Sequence, residues 1–284
     1  MGIRGLAKFL GARFPGALTS ATLRDLAGAV VAVDASIQLH QAAHAIGGAD
    51  SAQRIALWPL LNRAKALIEH RIMPIYVFDG VPPEEKARRE GGLHIGAELI
   101  DAFKAALDIL GIPRVDAPRE ADEYLAALSR MEIARTIISE DLDPLAMGAA
   151  SVMTGFRVSP KPGEMIEYSL PAILRALELT PDQFVDFCAI IGTDYAPRVP
   201  GYGPARALRA IQAPPANAPQ PPQTAKKILA ARADDIRESC LRLAAQLPSI
   251  RINRDREAIA ARLVADIGLA PALVARYAQA FGPN

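Results

Sequence analysis

Ala29-Val30-Val31-Ala32-Val33-Asp34 (AVVAVD) is a short apolar run, rich in valine, that stops at an aspartate. A run of this length and composition suits a strand buried on both faces of a parallel sheet. MPIYVFD (73–79) is of the same kind, and RTIIS (135–139) is a third candidate. Helical patterning fills the intervals, over 51–70, 97–110 and 120–131. The helix over 97–110 has a clear stop, with Gly111 at its end and Pro113 just beyond. Strands alternating with helices predict an α/β fold: a central, mostly parallel sheet flanked by helices.

Beyond residue 150 the pattern changes. Residues 151–170 read as strand and loop, and 171–179 and 181–192 as helices. The stretch 213–223 (APPANAPQPPQ) is too proline-rich for a helix and reads as a loop or polyproline connection. Two or three alanine-rich amphipathic helices follow between 224 and 281.

The chemistry is carried by carboxylates. VAVDAS, YVFDG, APREADE, ISEDLDP and IGTDY contain Asp34, Asp79, Glu120, Asp122, Asp141, Asp143 and Asp194. Aspartate is disfavoured inside strands, yet Asp34 and Asp79 sit against long apolar runs. Asp141 stands just past the third run. In an open α/β sheet the carboxyl ends of the strands form the ligand-binding edge. Carboxylates converging there repel one another unless hard cations sit among them. Two Mg²⁺ ions roughly 3.5–4 Å apart suit phosphodiester cleavage and need more carboxylates than one ion would. Asp141 and Asp143, two apart, face the same side if the extension of the strand continues. Taken alone, Glu120 and Asp122 are better read as acids favouring a helix dipole. EDLD alone is an ordinary polar turn. The ordered set carries the weight.

Bulk composition sets the frame. At 284 residues and 51% hydrophobic content, the chain can bury a sizeable core. Its two cysteines, Cys188 and Cys240, are far apart and form no metal-ligand pattern, so the chain reads as intracellular. MGIRGLAKFL lacks the apolar core of a signal peptide, and no run approaches membrane-spanning length. Myristoylation at Gly2 is set aside because Leu6 stands where Ser or Thr is expected. The formal charge of +1 lacks the basic excess usual for a nucleic-acid binder. Setting the seven carboxylates aside leaves +8. Charge therefore neither supports nor excludes nucleic acid.

Taken together, these motifs resemble the flap endonuclease family of structure-specific 5′ nucleases, which includes the XPG-type repair nucleases. MGIRGLAKFL, VAVDAS and YVFDGVPP are similar to its N-terminal block. LGIPRVDAPREADEYLAAL, SEDLDPLAMG and DFCAIIGTDYAPRVPGYGPARAL are similar to its internal block. The resemblance implies a PIN-like nuclease core over 1–212, with an N-terminal block 1–96 and an internal block 97–212. It places a helix–two-turn–helix DNA-binding motif near 184–211 and a helical extension over 224–284, packed on the core.

It also implies two Mg²⁺ ions, with Mn²⁺ as a substitute. Asp34, Asp79, Glu120 and Asp122 match one group of acids, and Asp141, Asp143 and Asp194 the other. Lys86 matches a basic residue that steadies the scissile phosphate. A second basic residue is expected where Leu93 stands, and Arg88 and Arg89 are the nearest replacements. Gly2 matches the residue whose amino end lies near the active site. His40 matches a place where the family has a tyrosine that stacks on a base. His40 and His44 also share i, i+4 spacing, a weak zinc case without a third ligand. Gly201 and Gly203 permit the tight turn of VPGYGPARAL, with Arg206 and Arg209 as DNA-backbone contacts. The carbonyls of Arg198, Val199 and Tyr202 match a K⁺ site.

The chain departs from the family between Asp79 and Glu120. About a dozen residues (85–96), with Gly91, Gly92 and Gly96 among them, remain for the arch that relatives build there. The terminus AQAFGPN lacks the motif by which relatives bind the sliding clamp. The expected function is a metal-dependent 5′ nuclease on branched or flapped double-stranded DNA, acting as a monomer, in the nucleus or a viral replication compartment. Three alternatives remain: a junction-resolving or mainly exonucleolytic member, a non-catalytic branched-DNA scaffold, and an RNA-directed nuclease.

Overall fold

Among the described residues, seven strands form one sheet in the computed structural model: β1 (Leu18–Ala21), β2 (Val30–Asp34), β3 (Met73–Phe78), β4 (Arg114–Asp116), β5 (Thr136–Ile138), β6 (Ser151–Thr154) and β7 (Met165–Ser169). Their order is β1-β7-β6-β5-β2-β3-β4. The structure describes residues 2–45, 53–80, 96–158, 163–213, 219–230, 234–271 and 274–275. The pairings of β2 with β3 and β5, β3 with β4, and β5 with β6 are parallel. β7 runs antiparallel to both β6 and β1. The strands expected at 29–34, 73–79 and 135–139 are thus β2, β3 and β5, side by side. The segment 151–170 contains β6 and β7 as an antiparallel pair.

Side-chain alternation shows why the central strands are apolar throughout. In β2, Ala32 enters one helical layer while Val31 and Val33 enter the other. In β3, Ile75 and Val77 face the first layer, and Tyr76 and Phe78 the second. The first layer contains buried residues of the helices Leu6–Arg13, Ala121–Arg130 and Pro181–Ile191. Ala225, Leu229, Ile236 and Cys240 from later helices join it. The second layer is built from Ala35–Ala45, Gln53–Glu69 and Ala97–Leu110, closed by Ile259 and Leu263. Both faces being covered is what a mostly parallel sheet requires.

Local signals set the element ends. Gly111 (φ 68°) terminates Ala97–Leu110 in the left-handed conformation. Thr180 and Gln183 form a capping box at the start of Pro181–Ile191. The alanine-rich C-terminal stretch contains the helices Gln223–Leu229, Asp234–Gln246 and Arg256–Ala265. Among the described residues no helix is long and apolar enough to cross a membrane.

Candidate active site

Val33 lies opposite Ile138 in the parallel ladder, so Asp34 and Ser139 leave the sheet together at its carboxyl edge. Ser139 Oγ donates to Asp34 Oδ2 at 2.8 Å and accepts the Asp141 N–H at 3.0 Å. Asp34 Oδ1 accepts the Ile37 N–H at 3.0 Å, in the first turn of Ala35–Ala45. Asp79, one residue past β3, donates its N–H to Ser36 Oγ at 3.0 Å. Its Oδ1 accepts the N–H of Ala121 at 2.8 Å.

That last bond changes the reading of Glu120. Glu120 stands at the N-cap of Ala121–Arg130 but makes no side-chain cap. Asp79 takes the amide instead, and the buried Glu120 carboxylate accepts from the Tyr195 hydroxyl at 2.8 Å. One residue after Asp79, a Cβ on Gly80 would collide with the Ala117 carbonyl. The glycine thereby lets the two backbones touch and brings Asp79 to the helix start.

Asp122, Asp141 and Asp143 are buried, with one carboxylate oxygen from each lying within 4.8 Å of the others. Asp122 thus lies beside Asp141 and Asp143, whereas the resemblance grouped it with Asp34, Asp79 and Glu120. The chain does not stay extended from Asp141 to Asp143, as the two-residue spacing suggested. Asp141 Oδ1 accepts the Asp143 N–H at 2.9 Å, and the short helix Asp143–Ala146 begins there. Pro144, with its fixed φ and no N–H, favours that start. Asp194 is half-buried, and its Oδ2 accepts the Gly2 N–H at 3.1 Å. Gly2 (φ 77°) lies so close that a Cβ would stand 1.8 Å from Asp141 Oδ1.

The electrostatics match this crowding. Burial, and then the charges of Asp79 and Asp141, push the Asp34 carboxyl up to about 7. Burial, with Asp122, Glu120 and Asp143 nearby, pushes the Tyr195 phenol far above its ordinary range, so it stays a donor. Asp34, Glu120, Asp122, Asp141 and Asp143 are buried, and this set of hard, mutually repelling oxygen ligands fits divalent ions.

Gly201 (φ 78°) and Gly203 lie in the turn before the helix Pro204–Gln212. Arg206 stacks over Tyr202 at 4.8 Å and donates to the Gly201 carbonyl at 3.4 Å. Arg209 is exposed and lines a groove with Phe9 and Arg13. The Val199 carbonyl accepts the Tyr202 N–H at 3.1 Å, and Arg198 packs its backbone against Gly192. His40 is half-buried on Ala35–Ala45, where His44 is exposed. Lys86, Arg88, Arg89 and Leu93 lie outside the described residues, as does all of the arch segment but Gly96.

Residues 1–92 match the XPG N-terminal domain and residues 111–194 the XPG I-region. A probable flap endonuclease 1 homolog of Danio rerio is 33% identical over 227 residues, covering 75% of this chain and 63% of its own. Flap endonuclease 1 of Schizosaccharomyces japonicus is 32% identical over 252 residues, covering 75% of this chain and 67% of its own. The chain belongs to the XPG-type flap endonuclease family. It spans 61–67% of the length of the curated relatives it matches. The fold is that of the catalytic core of Rad2 in complex with DNA substrate, with a TM-score of 0.73 at 19% identity, over 99% of this chain and 100% of that one.

Within this flap endonuclease-type fold, three side chains that motif reading passed over support the acids. They are Ser36, Ser139 and Tyr195. Their signal was position: Ser36 is two past Asp34, Ser139 two before Asp141, and Tyr195 next to Asp194. Each reaches an acid of another motif: Ser36 the backbone of Asp79, Ser139 the Asp34 carboxylate and Tyr195 the Glu120 carboxylate.

Proposed function

We propose that the chain is a structure-specific 5′ nuclease that hydrolyses DNA phosphodiesters near single-strand/double-strand junctions. The observation that carries this is the buried triad of Asp122, Asp141 and Asp143, converging within 4.8 Å at the carboxyl edge of the sheet. Divalent ions held by these acids, with Asp34, Asp79, Glu120 and Asp194 around them, would supply Lewis-acid polarisation of the scissile phosphate. Mg²⁺ is the ion of choice, with Mn²⁺ able to replace it.

The chain's own groups do the positioning. Ser139 fixes Asp34 and the backbone of Asp141 with one hydroxyl. Tyr195 holds Glu120, and the Gly2 amide holds Asp194. Ala121 N–H anchors Asp79. Lys86, with Arg88 and Arg89, steadies the scissile phosphate, because guanidinium groups pair phosphate oxygens with two donors. Duplex DNA lies on the turn of Gly201 and Gly203, with Arg206 and Arg209 on its backbone and the N-terminus of Pro204–Gln212 facing a phosphate. The Arg198, Val199 and Tyr202 carbonyls are offered to K⁺, and His40 to a base. The products are a 5′-phosphate and a 3′-hydroxyl, and the partner is branched or flapped duplex DNA.

The test is cleavage of a 5′-labelled double-flap DNA with Mg²⁺, with EDTA, and by Asp141→Asn/Asp143→Asn. Magnesium-dependent cutting near the branch, abolished by both controls, is expected. No cutting of flaps, nicks or junctions by the intact protein would overturn the reading in favour of a binding protein.

A further inference from the structure

A cavity of 620 Å³ opens in the second helical layer, beside the carboxylate edge, with Gln41, Trp58, Asn62, Arg63, Phe156 and Arg157 in its lining. A narrow cleft shares Gln41, Arg63, Glu140 and Phe156 with it and runs on to Gln38 and Ser139. Ser139 is the residue that holds Asp34, so the cavity and the acids have a wall in common.

Among the described residues, Arg63 Nη1 in the cavity wall and Gln38 Oε1 in the cleft find no hydrogen-bond partner, and neither does Tyr76 Oη, which lines neither space. Gln38 is 3% exposed and Tyr76 fully buried. Tyr76 and Glu140 lie near enough to Arg63 to act on its charge, and Arg157 opposes it. Buried polar groups in native proteins are nearly always paired, by protein, water or ligand. Here a cationic donor in the cavity wall and an acceptor in the adjoining cleft are unmatched. Glu140 is already engaged, accepting the Gly155 N–H at 2.8 Å.

The chemistry narrows the ligand. An apolar molecule would leave both atoms unmet. A bare phosphate would answer Arg63 and Arg157 but bring no flat face to Trp58 and Phe156. A nucleobase carries donors and acceptors on one flat edge and stacks on aromatic side chains, which Trp58 and Phe156 provide.

We propose that this cavity is a nucleotide subsite, taking one unpaired base against Trp58 and Phe156 with its edge toward Gln38, Asn62 and Arg63. The attached phosphate faces Arg157. A free mononucleotide and an unpaired nucleotide of a DNA strand share this chemistry; the strand as source rests on the nuclease reading.

Trp58 is the chain's single tryptophan, so intrinsic fluorescence reports on this cavity directly. The intact protein in EDTA is titrated with deoxynucleoside 5′-monophosphates, with inorganic phosphate, and with branched DNA carrying one abasic residue at successive positions near the junction. Saturable quenching by mononucleotides, at least about tenfold weaker with phosphate alone, is expected. Arg63→Gln should weaken it about tenfold or more, with Asn62→Ala as the milder variant if Arg63→Gln lowers the unfolding temperature. Quenching by DNA that disappears at one abasic position assigns the strand as source. Quenching by mononucleotides that no abasic position affects assigns the free nucleotide.

No saturable quenching by mononucleotide or DNA, equal quenching by phosphate, or indifference to both variants overturns the subsite. A protein that cuts flaps without such quenching loses only this proposal. One that quenches without cutting loses only the nuclease reading.

Discussion

The Tyr195 hydroxyl donates to Glu120 Oε2 across 2.8 Å, joining the end of one motif to the start of the helix that carries Asp122. Burial and three carboxylates push the phenol far above its ordinary range and keep it a donor. Residues 75 apart in sequence are thereby held as one unit.

Tyr195→Phe keeps the ring and removes the donor. The buried Glu120 carboxylate then loses a bond of the charged kind, worth about 1.5–3 kcal/mol. Divalent-ion affinity, followed by Mn²⁺ electron paramagnetic resonance or calorimetry, should fall about 10–100-fold, the usual cost of losing a group that orients a ligand. Unchanged ion affinity would remove Tyr195 from the site.

Asp34 gives a pH dependence with a definite sign. Its carboxyl is pushed up to about 7 by burial and then by Asp79 and Asp141. An acid raised in the fold is favoured there in its neutral form. Its contribution to stability is fully present below the unfolded value near 3.8 and is lost as pH rises through about 7. In EDTA, Asp34→Asn should therefore gain on the natural chain from about pH 4 to 7 and level off above. Divalent ions hold the ionised form, so they should raise the melting temperature of the natural chain more at pH 8 than at pH 5. A gap between the two proteins that is the same at pH 5 and pH 8 would contradict this.

Gly2→Ala tests the closest approach in the site. A Cβ would stand 1.8 Å from Asp141 Oδ1, on a backbone with φ 77° that disfavours any side chain. Asp141 or the Gly2 backbone must move, and displacement of about 1 Å at a reacting centre can cost about 100-fold in rate. Wild-type rates from Gly2→Ala would mean that the segment re-seats without disturbing Asp141.

The legible part of the molecule was its centre. β2, β3 and β5 announce themselves because strands buried on both faces need apolar residues at every position. Helix Ala97–Leu110 announces its end through Gly111. β1 and β4 were not foreseen: they lie at the two edges of the sheet, and LTSA and RVD carry little apolar signal. The acids were readable one by one, but their partners were not. That Asp79 rather than Glu120 caps Ala121–Arg130 depends on a contact between segments 42 residues apart. The turn between Asp141 and Asp143 reverses the extended reading through a bond from side chain to backbone, which two-residue spacing does not encode.

Gly192→Ala probes the link between the acids and the proposed DNA-binding turn. Gly192 (φ 96°) ends Pro181–Ile191, and its carbonyl accepts the Arg4 N–H at 2.9 Å. A Cβ there would lie 2.7 Å from the Arg198 amide nitrogen, which belongs to backbone and cannot swing aside. The substitution therefore strains φ and pushes apart the segment that leads through Asp194 and Tyr195 to Gly201. A loss of about 2–4 kcal/mol is expected from urea unfolding, since clash and strain add. Affinity for branched DNA in Ca²⁺ should fall with it, because the turn and the N-terminal segment move together. A stable Gly192→Ala protein with normal DNA affinity would show that Arg198 and the turn are held by Val199 and its bond to Ile190 alone.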